Sequence, residues 1–175
     1  GMEPMRGFPE FMAALSEVQK THPKVQCLIA GNETIHYGEK LPEGDSYKKR
    51  ALEAHHFDES RVHFVGRLPL PRYRDLLQRS DIHVYLTKPF VLSWSMIEAA
   101  AVGCALVTSD NAAIREALPD STSALHVDHT DIPKLADAIR WMLDHPDKAR
   151  AKGEKARKIA LEKYDAEMIY PKKMA

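Results

Sequence analysis

The 175-residue sequence is short of cysteine and of net charge: it has two cysteines, and its 25 Lys and Arg balance 25 Asp and Glu. Cys27 and Cys104 lie inside apolar runs, so they read as buried thiols and not as a disulfide framework. That fits a reducing, cytoplasmic compartment. Charge balance gives nothing that favours a nucleic-acid surface or a polyanion partner. No apolar run reaches the roughly 18 to 20 residues of a transmembrane segment, and no signal-peptide pattern opens the chain. Peripheral contact with the inner face of a membrane stays compatible with this. There is no internal repeat and no low-complexity tract. A Gly-x-Gly-x-x-Gly fingerprint behind a first strand is missing, which argues against a nicotinamide-dependent dehydrogenase. The nine histidines include no His-x-x-x-His with a third ligand. His55 and His56, neighbours on an expected helix, point to different faces, so surface histidines are expected and no metal site.

What is present is an ordinary globular composition, 44% apolar and 29% charged, long enough for one domain with its own core over residues 1–175. Phe8, Phe11, Met12, Leu15 and Val18 recur at helical spacing behind Pro9, and the helix should end near His22-Pro23. Val25 to Ala30 is an apolar run closed by Gly31, hence a buried strand. Residues 32–45 show no period and read as a long loop, a length that often marks function. Ser46 caps a helix expected to run to about Phe57. The order then repeats: a strand at 61–65 ending on Gly66, a helix at 71–79, a strand at 82–86, a helix at 95–102, a strand at 105–108. A short helix at 114–118, a strand at 124–127 and helices at 133–144 and 148–164 close the chain. Short apolar strands alternating with helices predict an α/β fold: a Rossmann-like, doubly wound parallel sheet with helices on both faces. Because the chain opens on a helix, the sheet is expected to lack its first strand.

Ligands of such sheets bind beyond the carboxyl ends of the strands. There lies "KPFVLSWSMIEAAAVGCALVTSD", residues 88–110. Its helix start favours an anion such as phosphate. Glu98, one turn in, has two readings. Ser95-Met96-Ile97-Glu98 spells a capping box, with Ser95 as the cap. Alternatively the carboxylate accepts from two ribose hydroxyls. Gly31 and Gly66 end strands and leave room for a nucleotide. Gly103 reads as a left-handed helix cap. Ser109 and Asp110 reach either a ligand or a helix start. Glu116 either caps or pairs with Arg115. Phe90 and Trp94 could stack a base, but simple packing is the expectation.

The segments "RVHFVGRLPLPRYRDLLQRSDIHVYLT" and "SMIEAAAVGCALVTSDNAAIREAL" together resemble the C-terminal domain of the retaining family four glycosyltransferases, which have the GT-B fold. The similarity runs from about Met5 to Tyr164. It implies a domain that binds a nucleotide-diphosphate sugar, with no metal and no cofactor, partnered by an N-terminal acceptor-binding domain and an unknown acceptor. Within the family's E-x7-E motif, Glu98 falls on the ribose-binding second glutamate. Phe90 falls on the first, where it cannot accept hydrogen bonds from the donor sugar; backbone groups of Val91 to Ser95, including Ser93 and Trp94, are the expected replacement. "MEPMRGFPEFMAAL" resembles the diphosphate segment, placing Arg6 on the diphosphate beside Gly7, with Lys88 as a possible helper. Gly66, Arg67 and Leu68 fall where the family holds the base. The catalytic groups are not assigned. Two other classes share these features: a sugar-nucleotide epimerase of the same architecture, and a non-catalytic nucleotide-sugar-binding module.

Overall fold

The computed structural model describes residues 1–89 and 92–167. Its most buried strand is β4 (Ala105–Ser109), all five residues of which are buried. Side chains alternate along a strand, so Leu106 faces one core and Ala105 and Val107 face another. On the Leu106 side, α4 (Trp94–Ala101) and α7 (Pro146–Tyr164) close over the sheet through Met96, Ile97, Ala99, Ala100, Ala156 and Ala160. The small residues of both helices let the backbones approach. Gly153 of α7 rests directly on Gly103 and Cys104. On the other side, α1 (Phe8–Thr21) and α6 (Ile132–Asp144) supply Ala14, Val18, Leu135, Ala136, Ile139 and Met142. Each large side chain buried in this way contributes roughly 1.5 to 3 kcal/mol.

β4 pairs in parallel with β3 (Ile82–Tyr85) on one edge and β5 (Leu125–Val127) on the other. A second parallel pair, β1 (Cys27–Ala30) and β2 (Val62–Gly66), carries its own core of Met2, Phe8, Met12, Leu15 and Cys27 beneath α1 and α2 (Tyr47–Ala54). β1 and β3 do not pair. Between them lies a slot with two cavities of about 480 and 830 Å³ that share Phe11, Leu28, Leu76, Ile82 and Val84 in their walls.

The sequence places the strands and long helices within a few residues. Three local assignments change. α2 stops at Ala54, so His55 and His56 lie beyond it and not on two faces of a helix. α5 (Ala112–Ala117) starts earlier than read, because the Asn111 side chain accepts from the Ile114 N–H at 3.1 Å. His129 is buried and does not lie on the surface. Cys27 and Cys104 are buried free thiols. Burial pushes them up to about 12 and about 11, and the Cys104 thiol donates to the Leu77 carbonyl at 2.8 Å.

Candidate functional site

The carboxyl ends of the strands meet at the mouth of the smaller chamber. Arg6, Gly31, Arg67, Leu68, Ser93 and Ser95 line it together with Tyr73 and Tyr85. The lower part of this space is the apolar inter-sheet slot. A polar ligand therefore belongs to the mouth, where the charged and hydroxyl groups are.

Each wall is set by its own sequence. Arg6 ends a short 3₁₀ turn, Pro4–Arg6, entered through proline and left through Gly7 at φ 63°. A Cβ on Gly7 would stand 2.4 Å from the Leu86 Cβ, so glycine is needed there both for its dihedral and for close approach. The Met5 carbonyl accepts from the Lys88 N–H at 3.1 Å and the Thr87 hydroxyl at 3.3 Å. This ties the turn to the β3–α4 loop. Gly31 donates to the Gly66 carbonyl at 2.8 Å, so the ends of β1 and β2 meet with no side chain between them.

The opposite wall is the start of α4, and here the structure corrects the sequence reading. The N-cap is Ser93, whose hydroxyl accepts from the Ser95 N–H at 3.4 Å. Ser95 is inside the helix, and its hydroxyl lies 3.1 Å from that of Ser93. With Ser93 as cap, the third helical residue is Met96, so Glu98 is two positions too far along to close a capping box. The Ser93 N–H in turn donates to the Tyr85 hydroxyl at 3.0 Å. Glu98 is exposed. Among the described residues its carboxylate makes no ion pair or side-chain hydrogen bond. It lies close enough to Tyr73 to raise that phenol, which burial first and Glu98 second push to about 12.

Several expectations fall elsewhere. Trp94 is 73% exposed and neither packs nor lines the mouth. Lys88 is exposed and touches the site through its backbone. Ser109 is buried, its hydroxyl accepting from the Thr87 N–H at 2.9 Å, which makes it a tie between β4 and the β3 exit. Asp110 forms a two-pronged pair with Arg115 at 2.5 and 2.8 Å, and the guanidinium holds its carboxyl below the usual range. Arg115 is thereby engaged by Asp110 and not by Glu116. Gly103 has φ 86° just past α4, as a left-handed cap requires. The readings for Phe90 and Val91 lie outside the described residues.

The family model described as "Glycosyl transferases group 1" matches residues 2–159. The chain belongs to this family. Glycogen synthase of Mycobacterium tuberculosis is 30% identical over 170 residues, covering 96% of this chain and 38% of that protein. The chain thus spans well under half the length of that relative. Anabaena Alr3699/HepE, solved in complex with UDP-glucose, superposes with a TM-score of 0.81 at 18% identity over 97% of this chain and 44% of that one. The C-terminal domain of the group 1 family protein LpcC from Francisella tularensis gives a TM-score of 0.76 at 17% identity, over 94% of this chain and 82% of that one. At such identities the likeness speaks to the fold.

Sequence reasoning missed two groups beside the mouth. Tyr85 is the strand residue whose hydroxyl sets the α4 start, and an apolar-run tyrosine at a strand end was its only signal. Glu3 gives no signal in the sequence. It is fully buried and accepts from the backbone N–H groups of His36 and Tyr37.

Proposed function

We propose that this chain is the donor-binding domain of a retaining glycosyl transferase and holds a nucleotide-diphosphate sugar at the mouth between Arg6, Gly31, Arg67 and the start of α4. The ribose would lie on Glu98. The diphosphate would take Arg6 and the N–H groups at the Ser93 end of α4, where the helix dipole favours an anion. The base would lie against Gly66, Arg67 and Leu68. Cationic and dipolar groups around a leaving diphosphate stabilise the charge that develops as the sugar departs. The observation that carries the reading is Glu98: its capping role is gone, and its exposed carboxylate, without a partner among the described residues, stands one turn into α4 beside Tyr73, which lines the mouth while Glu98 itself does not.

Glu98→Gln tests it. The change keeps shape, removes charge and presents an amide to a hydroxyl. Hydrogen bonds to charged groups contribute roughly 1.5 to 3 kcal/mol, so affinity for both UDP and uridine should fall about tenfold or more with the melting temperature unmoved. Calorimetry with UDP is the measurement, UDP being the nucleotide of the Anabaena structure. Unchanged affinity in Glu98→Gln, or no binding of UDP, ADP or GDP by the parent chain, would overturn the assignment.

A further inference from the structure

Arg6 stands on a long flexible stem, and ordering such a side chain costs rotamer entropy. The guanidinium carbon lies 5.6 Å from the centroid of the Tyr37 ring, a cation–π distance. Tyr37 belongs to the segment between β1 and α2, residues 31–46, which contains no helix or strand to hold it. The Met2 N–H ties the start of this segment through the Asn32 carbonyl at 3.2 Å, and Glu3 ties the part next to Tyr37. The Glu3 side chain is 0% exposed. One of its oxygens accepts from the His36 N–H at 2.6 Å and the Tyr37 N–H at 3.0 Å. Glu3 and Arg6 belong to the same short turn, since the Arg6 N–H donates to the Glu3 carbonyl at 3.0 Å. The far side of that turn is tied by the Met5 carbonyl to Thr87 and Lys88. Thus one buried carboxylate joins the turn that carries the arginine to the loop that carries the ring against it.

We infer that Glu3 is a positioning residue for the anion subsite: by holding the His36–Tyr37 backbone it keeps the Tyr37 ring against Arg6 and presents the guanidinium, already ordered, to a diphosphate. The inference rests on the donor-site reading above. A glutamate suits the task because a single side-chain oxygen on a stem of this length can accept from two successive N–H groups. Its effect reaches the ligand only through Arg6.

That last point makes it testable by calorimetry with UDP and uridine on the 175-residue chain. Arg6→Ala should weaken UDP more than uridine. Glu3→Ala should do the same, by about tenfold for UDP, with uridine unchanged. Glu3→Gln, which keeps an acceptor oxygen, should recover most of the loss. In the Glu3→Ala, Arg6→Ala double variant UDP should bind no worse than in Arg6→Ala alone, because the two act in series. Amide exchange should quicken at residues 36 and 37 in Glu3→Ala. If that variant does not fold, Tyr37→Leu reads the same link and should reproduce the UDP-selective loss. Additive losses, equal losses for UDP and uridine in Glu3→Ala, or unchanged UDP affinity in Tyr37→Leu would sink the Glu3 role while leaving the site intact. If Arg6→Ala itself treats UDP and uridine alike, the diphosphate reading falls, and the Glu3 role with it.

Discussion

The two halves of the sheet differ in how completely they are enclosed. β4 has a strand on each edge and helices on both faces, and all of its residues are buried. β1 has a strand on one edge only and faces the slot with the other. Leu28, at its second position, is 48% exposed. The candidate site straddles this boundary. Ser93, Ser95 and Glu98 come from the enclosed half, and Gly31 and Arg67 from the open half. Arg6 enters on a turn tied to both. The enclosed half offers a rigid helix start, and the open half offers loops whose order depends on a few polar ties such as Glu3.

The largest test of this contrast compares two glycines. A Cβ on Gly153 would stand 2.1 Å from the Gly103 carbonyl oxygen and 3.0 Å from the Cys104 carbonyl carbon. Both belong to backbone, so α7 must lift from α4. Overpacking of this kind costs typically 1 to 3 kcal/mol, occasionally more. For Gly153→Ala we expect about 3 kcal/mol, which lowers the melting temperature by roughly 6 to 12 °C for a chain of this length. At Gly66, in the open half, a Cβ meets nothing within 4 Å and only φ 67° opposes it. Gly66→Ala should cost about 1 to 2 kcal/mol of left-handed strain. Equal losses in thermal melts would mean that the halves do not differ in packing as described.

Sequence periodicity exposed most of this fold because burial on two faces writes itself as apolar strands and amphipathic helices. It put Gly31 at a strand end for the same reason, whereas Arg6, Arg67 and Ser93 were singled out only by the family resemblance. It could not tell Ser93 from Ser95 as the cap, since both precede the same helix and spacing alone favoured the serine with a glutamate three residues on. Glu3 and Tyr85 stayed hidden because their partners are backbone N–H groups far along the chain, and every residue has one. The fate of Trp94 was misjudged too: a large aromatic usually packs, but at the first position of α4 this one projects outward.

A pH titration probes the open edge. His83, the second residue of β3, lines the smaller chamber, and burial pushes its imidazole down from 6.5 to about 4. The folded form therefore keeps it neutral where the unfolded chain would protonate it. Above about pH 6.5 both states are neutral and stability is full. As pH falls from there toward 4, the unfolded chain takes up the proton first and stability is lost. By pH 5 the loss should be on the order of 2 kcal/mol. His83→Leu should flatten the decline in melting temperature across this window. His126, lowered by burial first and by Arg115 next, would leave a residue of it. An unaltered slope in His83→Leu would show that the edge of β3 is hydrated enough to accept the charge.

The smallest expected effect separates the two serines of the enclosed half. If Ser93 is the cap, Ser93→Ala removes the acceptor that meets the Ser95 N–H and should cost about 1 kcal/mol. Ser95 lies inside the helix, where alanine is the better helix former, so Ser95→Ala should stay within about 0.5 kcal/mol of the parent. Denaturant midpoints resolve the difference. The reverse order would return the cap to Ser95 and restore the capping box with Glu98, leaving that carboxylate a local structural role. The same pair also bears on the ligand. Ser93 fixes the N–H groups that an anion would meet, so Ser93→Ala should weaken UDP modestly more than uridine, whereas Glu98→Gln weakens both. A serine effect confined to stability, with UDP binding untouched, would move the diphosphate off the start of α4 and leave Arg6 as its principal contact.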